Sequence, residues 1–368
     1  ACARLTCGTN WRGSTVSSLG RWLETQRCQL PLPVWLDLSL SVARLDGLVK
    51  REEFSAAELQ LSGLYSLIRE HDLQEWQVFV QLMEGSLVLA ATSNLNRVMD
   101  IGMRALSTAE RVTGAHSHAL RLGARLLVTR CWLKIDEVGY AREALAVGED
   151  TLTGNDLGEW EFWFLASNAW ALWALGRQEE ANAVLASMLV KRPVWTNKAD
   201  EFEGRAYIAY RMRRQAEAAG YYKQAAAYFE ADGLLYSATR CRLNRALCLL
   251  EVGEHEASLG LLEETLPRTH HLSNPHYRGL GHCFRGRNAL ALHDYERAVE
   301  DLNQALTLYK GRGWLRDKAQ MSIERLEAMR ALGGHSDWEE AAGCARRCVS
   351  RLRSTDLQPR LAEALRGH

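Results

Sequence analysis

The sequence predicts an all-α chain of stacked helical hairpins, an α-solenoid of about eight units. Three observations carry that prediction. The first is residues 289–309, which read as an apolar helix end, a short turn at His293 and Asp294, and a second helix opening at Tyr295. Ala298, Leu302, Ala305 and Leu306 of that second helix fall on one face at the spacing of a buried stripe. The second is recurrence: the small residue of this hairpin returns as Ala57, Val98, Ala141, Ala181, Ala219, Ser258, Ala298 and Ala341, at separations of 41, 43, 40, 38, 39, 40 and 43 residues. A near-constant period in this range marks an array in which each helix pair packs only on its neighbours. The third is what the chain lacks, since it has six Pro in 368 residues and no stretch that reads as a strand bounded by hairpin turns. One hairpin alone buries too little apolar surface to offset the entropy of ordering it, so the units need one another.

Taken in order, the elements begin with a lead-in helix at about 14–27 inside an N-terminal segment, 1–33. The repeat array is predicted over 34–353, with an apolar first helix at 34–47 and pairs at 52–70 with 73–91, 94–112 with 117–134, and 137–152 with 158–175. Later pairs are 178–191 with 198–213, 216–231 with 235–252, 255–268 with 275–292, and 295–310 with 314–332, followed by 337–353. Residues 354–368 hold a last helix, 357–365, polar enough through Arg360, Glu363 and Arg366 to cap the array.

Several of these hairpins resemble a known family. Gly176-Arg-Gln-Glu-Glu-Ala181, followed by Leu185, Met188, Leu189 and Pro193, is similar to the second half of a tetratricopeptide repeat, with its turn Gly, small residue five later and closing Pro. The stretch from His293 through Tyr295 and Ala298 to Ala305 fits the same pattern with His in place of Gly, and Gly253-Glu-His-Glu-Ala-Ser258 fits it more loosely. The resemblance covers about 34–350 and implies a right-handed superhelix, although the first-helix Trp, Leu-Gly and Tyr signature is largely missing and the period is nearer 40 than 34. A narrower likeness rests on Gly20-Arg-Trp-Leu-Glu24, Leu30-Pro31 and the apolar helix Val34–Leu45. These resemble the start of the sensor region in maltose-activator-like signal-transduction ATPases, which would imply inducer binding coupled to an ATPase and a DNA-binding module. The chain departs from that family in carrying no Gly-x-x-x-x-Gly-Lys-Ser/Thr phosphate loop and no evident helix-turn-helix.

Composition narrows the partners. Forty-five basic residues balance 45 acidic ones, so no global field draws nucleic acid or an anionic membrane. Nine scattered Cys point to free thiols in a reducing cytoplasm rather than a disulfide framework. No secretory leader is visible, and a start at Ala1 without Met suggests a processed chain or an excised piece. The longest uncharged run, Phe162–Gly176, has 15 residues, short of the roughly 20 needed to span a bilayer.

Candidate chemistry is sparse. No metalloprotease, nucleophile-elbow or dinucleotide motif occurs, so no enzyme activity and no cofactor is expected. His270, His271, His276, His282 and Cys283 could ligate zinc in kind, but their spacing matches no common site and His270–His276 is expected to be an exposed loop. Cys344 and Cys348, one helical turn apart, read best as small buried hydrophobes. Arginine clusters at Arg211, Arg213 and Arg214, and at Arg346, Arg347, Arg351 and Arg353, read as solvated helix faces, so direct nucleic-acid binding is not expected.

The sharper signal is aromatic, because residues 159–176 carry four of the chain's 12 Trp. Helical geometry puts Trp163 and Trp170 on nearly one line with Trp173 close by. The tetratricopeptide resemblance aims these three into the concave groove, with Arg130, Arg211 and Arg287 from other repeats and Asn168 and Asn244 near them. Such a floor would suit a peptide or small effector carrying acidic and apolar groups. A helix apolar all round can equally be buried on both sides. The expected function is a non-catalytic sensor or interaction region of a bacterial regulatory system that binds a protein segment, a peptide or a small effector. Homo-oligomerisation stays open. The alternative is an adaptor that assembles partners through its outer face, its groove filled by its own helices.

Overall fold

The computed structural model describes residues 32–113, 117–135, 139–143, 146, 159–191, 198–272, 274–333, 337–352 and 355–366. The regular elements among them are helices: α1 (Leu32–Lys50), α2 (Phe54–Glu70), α3 (Gln74–Thr92), α4 (Leu95–Arg111), α5 (Ser117–Lys134), α6 (Glu159–Ala174), α7 (Gln178–Lys191) and α8 (Lys198–Arg211). They continue as α9 (Gln215–Ala231), α10 (Leu235–Glu251), α11 (His255–Thr269), α12 (Pro275–Ala291), α13 (Tyr295–Leu308), α14 (Leu315–Ala331), α15 (Trp338–Ser350) and α16 (Gln358–Ala364). Their bounds agree with the apolar periodicity to within a few residues. Of the helix expected at 137–152, residues 139–143 and 146 are described, and they are helical. The lead-in helix and the Gly20–Glu24 and Leu30–Pro31 motifs lie outside the described residues.

Consecutive helices pack on each other, and contacts of α3 with α5, α10 with α12 and α12 with α14 set the first helices of successive repeats side by side. Two buried ion pairs rivet this layer: Arg240 to Glu203 between α10 and α8, and Arg287 to Glu324 between α12 and α14. The second helices are tied in by polar contacts of the small-residue position. Ser258 Oγ donates to the Ala246 carbonyl at 2.8 Å and accepts from Asn288 Nδ2 at 2.9 Å, which fixes α11 to both of its neighbours.

Among the described residues, six of the turns into a second helix repeat one geometry. The residue before the N-cap is left-handed at Glu52 (φ 61°), Ser93 (49°), Gly176 (78°), Arg213 (63°), Gly253 (86°) and His293 (63°). Five residues on, the small residue's amide donates to the N-cap carbonyl: Ala57 to Glu53, Val98 to Asn94, Ala181 to Arg177, Ala218 to Arg214, Ser258 to Glu254 and Ala298 to Asp294. All six small residues are buried. In α9 the position belongs to Ala218, not to Ala219 as predicted, so the separations around it are 37 and 40 residues. Adjacent alanines give no side-chain difference to fix the register, and the turn residue that would have marked it is Arg213 rather than Gly. A non-Gly residue in this conformation costs on the order of 1–2 kcal/mol, which the surrounding packing must offset.

One expectation fails, because helix pairs do not pack on sequence neighbours alone. The α3–α4 turn lies on the N-terminal ends of α10, α12 and α14, up to 221 residues further along the chain. The Ala90 carbonyl accepts from the Tyr236 hydroxyl and from Asn274 Nδ2, and the Ser93 carbonyl accepts from Trp314 Nε1 at 2.8 Å. The Thr92 carbonyl accepts from Arg312 Nη1 at 2.7 Å. Glu52 accepts from the amides of Tyr236 and Ser237 in the first turn of α10, at 2.6 and 2.9 Å, where the helix dipole favours a carboxylate. Gly313 (φ 80°) allows the approach, since a Cβ there would meet Asn96 Oδ1 at 2.8 Å. Carbonyls at the end of α3 that have no partner within their own helix thus find donors in distant repeats. The array closes on itself along this seam.

Candidate ligand-binding cleft

The aromatic stretch forms α6, and its two expected roles divide along its faces. Phe164, Ala166, Ala169, Ala171 and Leu172 are buried, whereas Trp170 and Trp173 are only partly covered. Trp163 lies in α6, but its side chain is outside the described residues.

The C-terminal end of α8 meets the uncovered face. The guanidinium carbon of Arg211 lies 4.9 Å from the Trp170 ring centre and 5.2 Å from that of Tyr207, while Arg213 lies 4.4 Å over Trp173. These are cation–π distances, and the carbonyl end of a helix is where a cation is favoured. Trp173, Tyr210, Arg211 and Arg213 line a small cleft. The Tyr210 hydroxyl donates to Glu251 at 2.5 Å and Gln215 Nε2 donates to the other oxygen at 3.1 Å, so the carboxylate at the end of α10 is already engaged. Arg211 is 8% exposed, and its Nε and Nη2 have no hydrogen-bond partner. A buried cation without an acceptor is costly and rare.

The other predicted site residues are placed differently. Arg287 donates from Nε to Glu324 at 2.9 Å, and Asn168 Oδ1 accepts from Arg142 Nη1 at 2.5 Å. Arg130 is buried in α5. Asn244 is buried in α10 with neither amide atom hydrogen-bonded. The structure therefore gathers Trp170, Trp173 and Arg211 and commits Arg287 and Asn168 to protein partners.

Sequence reasoning missed Tyr207 and Tyr210, and it read Arg213 as part of a solvated cluster. Trp170 and Trp173 stand 11 and eight residues before Ala181. The same offsets from Ala218 give Tyr207 and Tyr210, while from Ala219 they fall on Ile208 and Arg211. A one-residue slip in register hid an aromatic ladder that the correct register displays.

A second prediction is corrected at the seam. His276, expected in an exposed loop, is buried in the first turn of α12, with its ring 4.1 Å from Trp314 and 5.2 Å from Tyr309. Burial, together with Lys134 and Arg312 nearby, holds its pKa well below the usual histidine value, and neither ring nitrogen has a hydrogen-bond partner. Lys134 Nζ sits 3.7 Å over the other ring of this stack, Trp314. His270 and His271 are exposed, and no group of three or more His, Cys, Asp or Glu among the described residues is arranged to hold a metal. Cys348 is buried as expected but Cys344 only partly so, and a hydrogen bond from Cys348, aided by Ser322, Arg325 and Arg347, draws the Cys344 thiol down to about 5.

No protein-family model and no curated protein sequence matches the chain. Solved structures do match it. The chain is similar to a Rap protein complexed with competence and sporulation factor, at 16% identity and a TM-score of 0.58, over 78% of this chain and 79% of that one. It is also similar to NprR in complex with its cognate peptide NprX, at 13% identity and a TM-score of 0.52, over 78% of this chain and 82% of that one. Similarity at this level of identity is one of fold, and the fold is a tetratricopeptide-like helical-repeat superhelix.

Proposed function

We propose that this chain is a non-catalytic binding superhelix whose α6–α8 face takes a peptide or protein segment, acting as the sensor or interaction region of a bacterial regulatory system. One observation carries the reading: a cleft where partly exposed Trp rings are stacked by two arginines, one of them buried with no acceptor. Rigid aromatic rings give a guest large contact area at little entropic cost. The guanidinium groups here supply positive charge and parallel donors, and the phenols a polar edge, which together suit orienting an anionic guest. Both similar structures hold a bound factor or peptide, which supports the same class of guest in this chain. A small effector would use the same anchors. Six free cysteines among the described residues suit a reducing compartment such as the cytoplasm. No helix among the described residues is long and apolar enough to cross a membrane. A second reading, an adaptor that assembles partners through its outer surface, draws on Leu40 and Leu59, which are largely exposed on α1 and α2.

The test is a peptide selected from a displayed random library, with its affinity measured by calorimetry for the wild type and for Trp170→Ala. Affinity that falls at least about tenfold with an unchanged melting temperature is the expected result. Unchanged affinity would end the cleft reading, and gross destabilisation would make Trp170 a core residue.

A further inference from the structure

We infer that the cleft at the C-terminal ends of α6 and α8 is a carboxylate subsite, in which Arg211 holds the acid side-on through Nε and Nη2. The inference deepens the binding function proposed above and rests on it.

The argument comes from how this protein uses its other arginines. Arg240 grips Glu203 with Nε at 2.8 Å and Nη2 at 2.6 Å. Arg285 grips Asp301 with the same two nitrogens at 2.7 and 2.6 Å, and so does Arg360 with Glu327, again at 2.7 and 2.6 Å. That edge of the guanidinium presents two parallel N–H groups, spaced to match the two oxygens of a carboxylate. Arg211 has the same edge, is nine-tenths buried, and leaves both nitrogens without an acceptor. Its guanidinium carbon is packed 4.9 and 5.2 Å from the Trp170 and Tyr207 ring centres, so a side chain already ordered by burial loses less entropy when an acid docks. Glu251, the carboxylate at the end of α10, is held by Tyr210 and Gln215. Both nitrogens are covered in the free chain, so an acid reaches them only when a cleft side chain moves aside. Arg213, exposed and stacked over Trp173 on the same cleft, is the one that can turn outward and then add a second positive charge. The chemistry selected is a planar carboxylate next to an aromatic or apolar group, as at an acidic side chain or a free C-terminus.

The probes are 3-phenylpropanoate, its neutral amide and phenyl phosphate, titrated into the full chain and followed by tryptophan fluorescence and calorimetry. The acid is expected to saturate and the amide to bind at least about tenfold more weakly, a comparison that needs no variant. Arg211→Lys is expected to lose about tenfold for the acid, because an ammonium cannot offer two parallel donors, while Arg213→Gln loses less than about threefold. Equal binding of acid and amide, or no saturation by the acid, would overturn the inference. Tighter binding of the phosphate by about tenfold would also overturn it, assigning the fork to a phosphoryl group. The two readings can fail separately. Library peptides that bind equally well after all their carboxyl groups are amidated would remove the acid subsite and keep the peptide site. Saturation by phenylpropanoate that depends on Arg211, with no peptide recovered, would keep the subsite and remove the peptide reading.

Discussion

The seam and the cleft are both aromatic surfaces carrying cations, and they have opposite fates. At the seam, Trp314, His276, Tyr277 and Tyr236 stack at the N-terminal ends of first helices, and the α3–α4 turn covers them with carbonyls that take up their donors. At the cleft, Trp170, Trp173, Tyr207 and Tyr210 line the C-terminal ends of first helices, and two donors of Arg211 face no acceptor. The reading proposed above makes the cleft a place for a guest, whereas the seam is filled by the chain itself. What separates seam from cleft is which donors are met: those of Tyr236, Asn274 and Trp314 find backbone carbonyls, and the Nε and Nη2 donors of Arg211 do not. On that reading the seam is a joint within the chain and the cleft a receptor, although the His276 ring nitrogens at the seam are also without a partner.

The largest expected effect breaks the joint. Trp314→Ala removes a buried ring stacked on His276, a cation–π contact with Lys134 and the hydrogen bond to Ser93, and is expected to cost about 3–5 kcal/mol in urea unfolding. A cost below about 1 kcal/mol would mean that the seam does not form in solution. The next prediction sets the paired arginine against the unpaired one. Arg240→Met strips Glu203 of its cation at a site where the two side chains are 0% and 1% exposed, and is expected to cost about 3–5 kcal/mol. Arg211→Met removes a cation that no acceptor balances, so the lost ring contacts are offset and stability should stay within about 1 kcal/mol of wild type. Equal losses would show that Arg211 has an acceptor in solution.

The smallest effect is in pH. His276 is neutral in the fold because burial and the nearby Lys134 and Arg312 depress its pKa, whereas in the unfolded chain it takes up a proton near pH 6.5. The unfolded state therefore binds more protons below that pH. The contribution is fully present above about pH 6.5 and is lost as pH falls toward the folded value, by at most about 1.4 kcal/mol per pH unit. Asp301, whose pKa is lowered by His282 and Arg285 against the opposing effect of burial, acts in the same direction but below the usual carboxylate range. Urea unfolding at pH 7.5 and 5.5 checks this, and His276→Phe should flatten the difference while a seam-remote variant should not.

Much of the fold was legible because its signals are local. Ala298, Leu302 and Ala305 report one buried helix face, and the recurrence of such faces near 40 residues reports stacking. The seam was not legible, since it is written in main-chain carbonyls of Ala90, Thr92 and Ser93, which carry no residue code. The left-handed turn was legible at Gly176 and Gly253 but hidden at Glu52, Ser93 and Arg213, where side chains occupy a conformation that usually selects Gly. That concealment shifted the register by one at Ala218 and erased Tyr207 and Tyr210 from the expected groove. Trp170, Trp173 and Arg211 still come together at the cleft, since the sequence singled them out by residue type as well as by register. Arg287 did not, because its partner Glu324 comes from the next repeat and no pattern within its own helix announces it.

The contrast between joint and receptor can be read in one experiment, the indole N–H resonances of the full chain before and after addition of a library-selected peptide. Shifts confined to Trp170 and Trp173, with Trp314 unmoved, are what a seam closed by the chain and a guest-binding cleft require. Movement of Trp314 with Trp170 and Trp173 silent would contradict it, and would make the seam the place where guests enter.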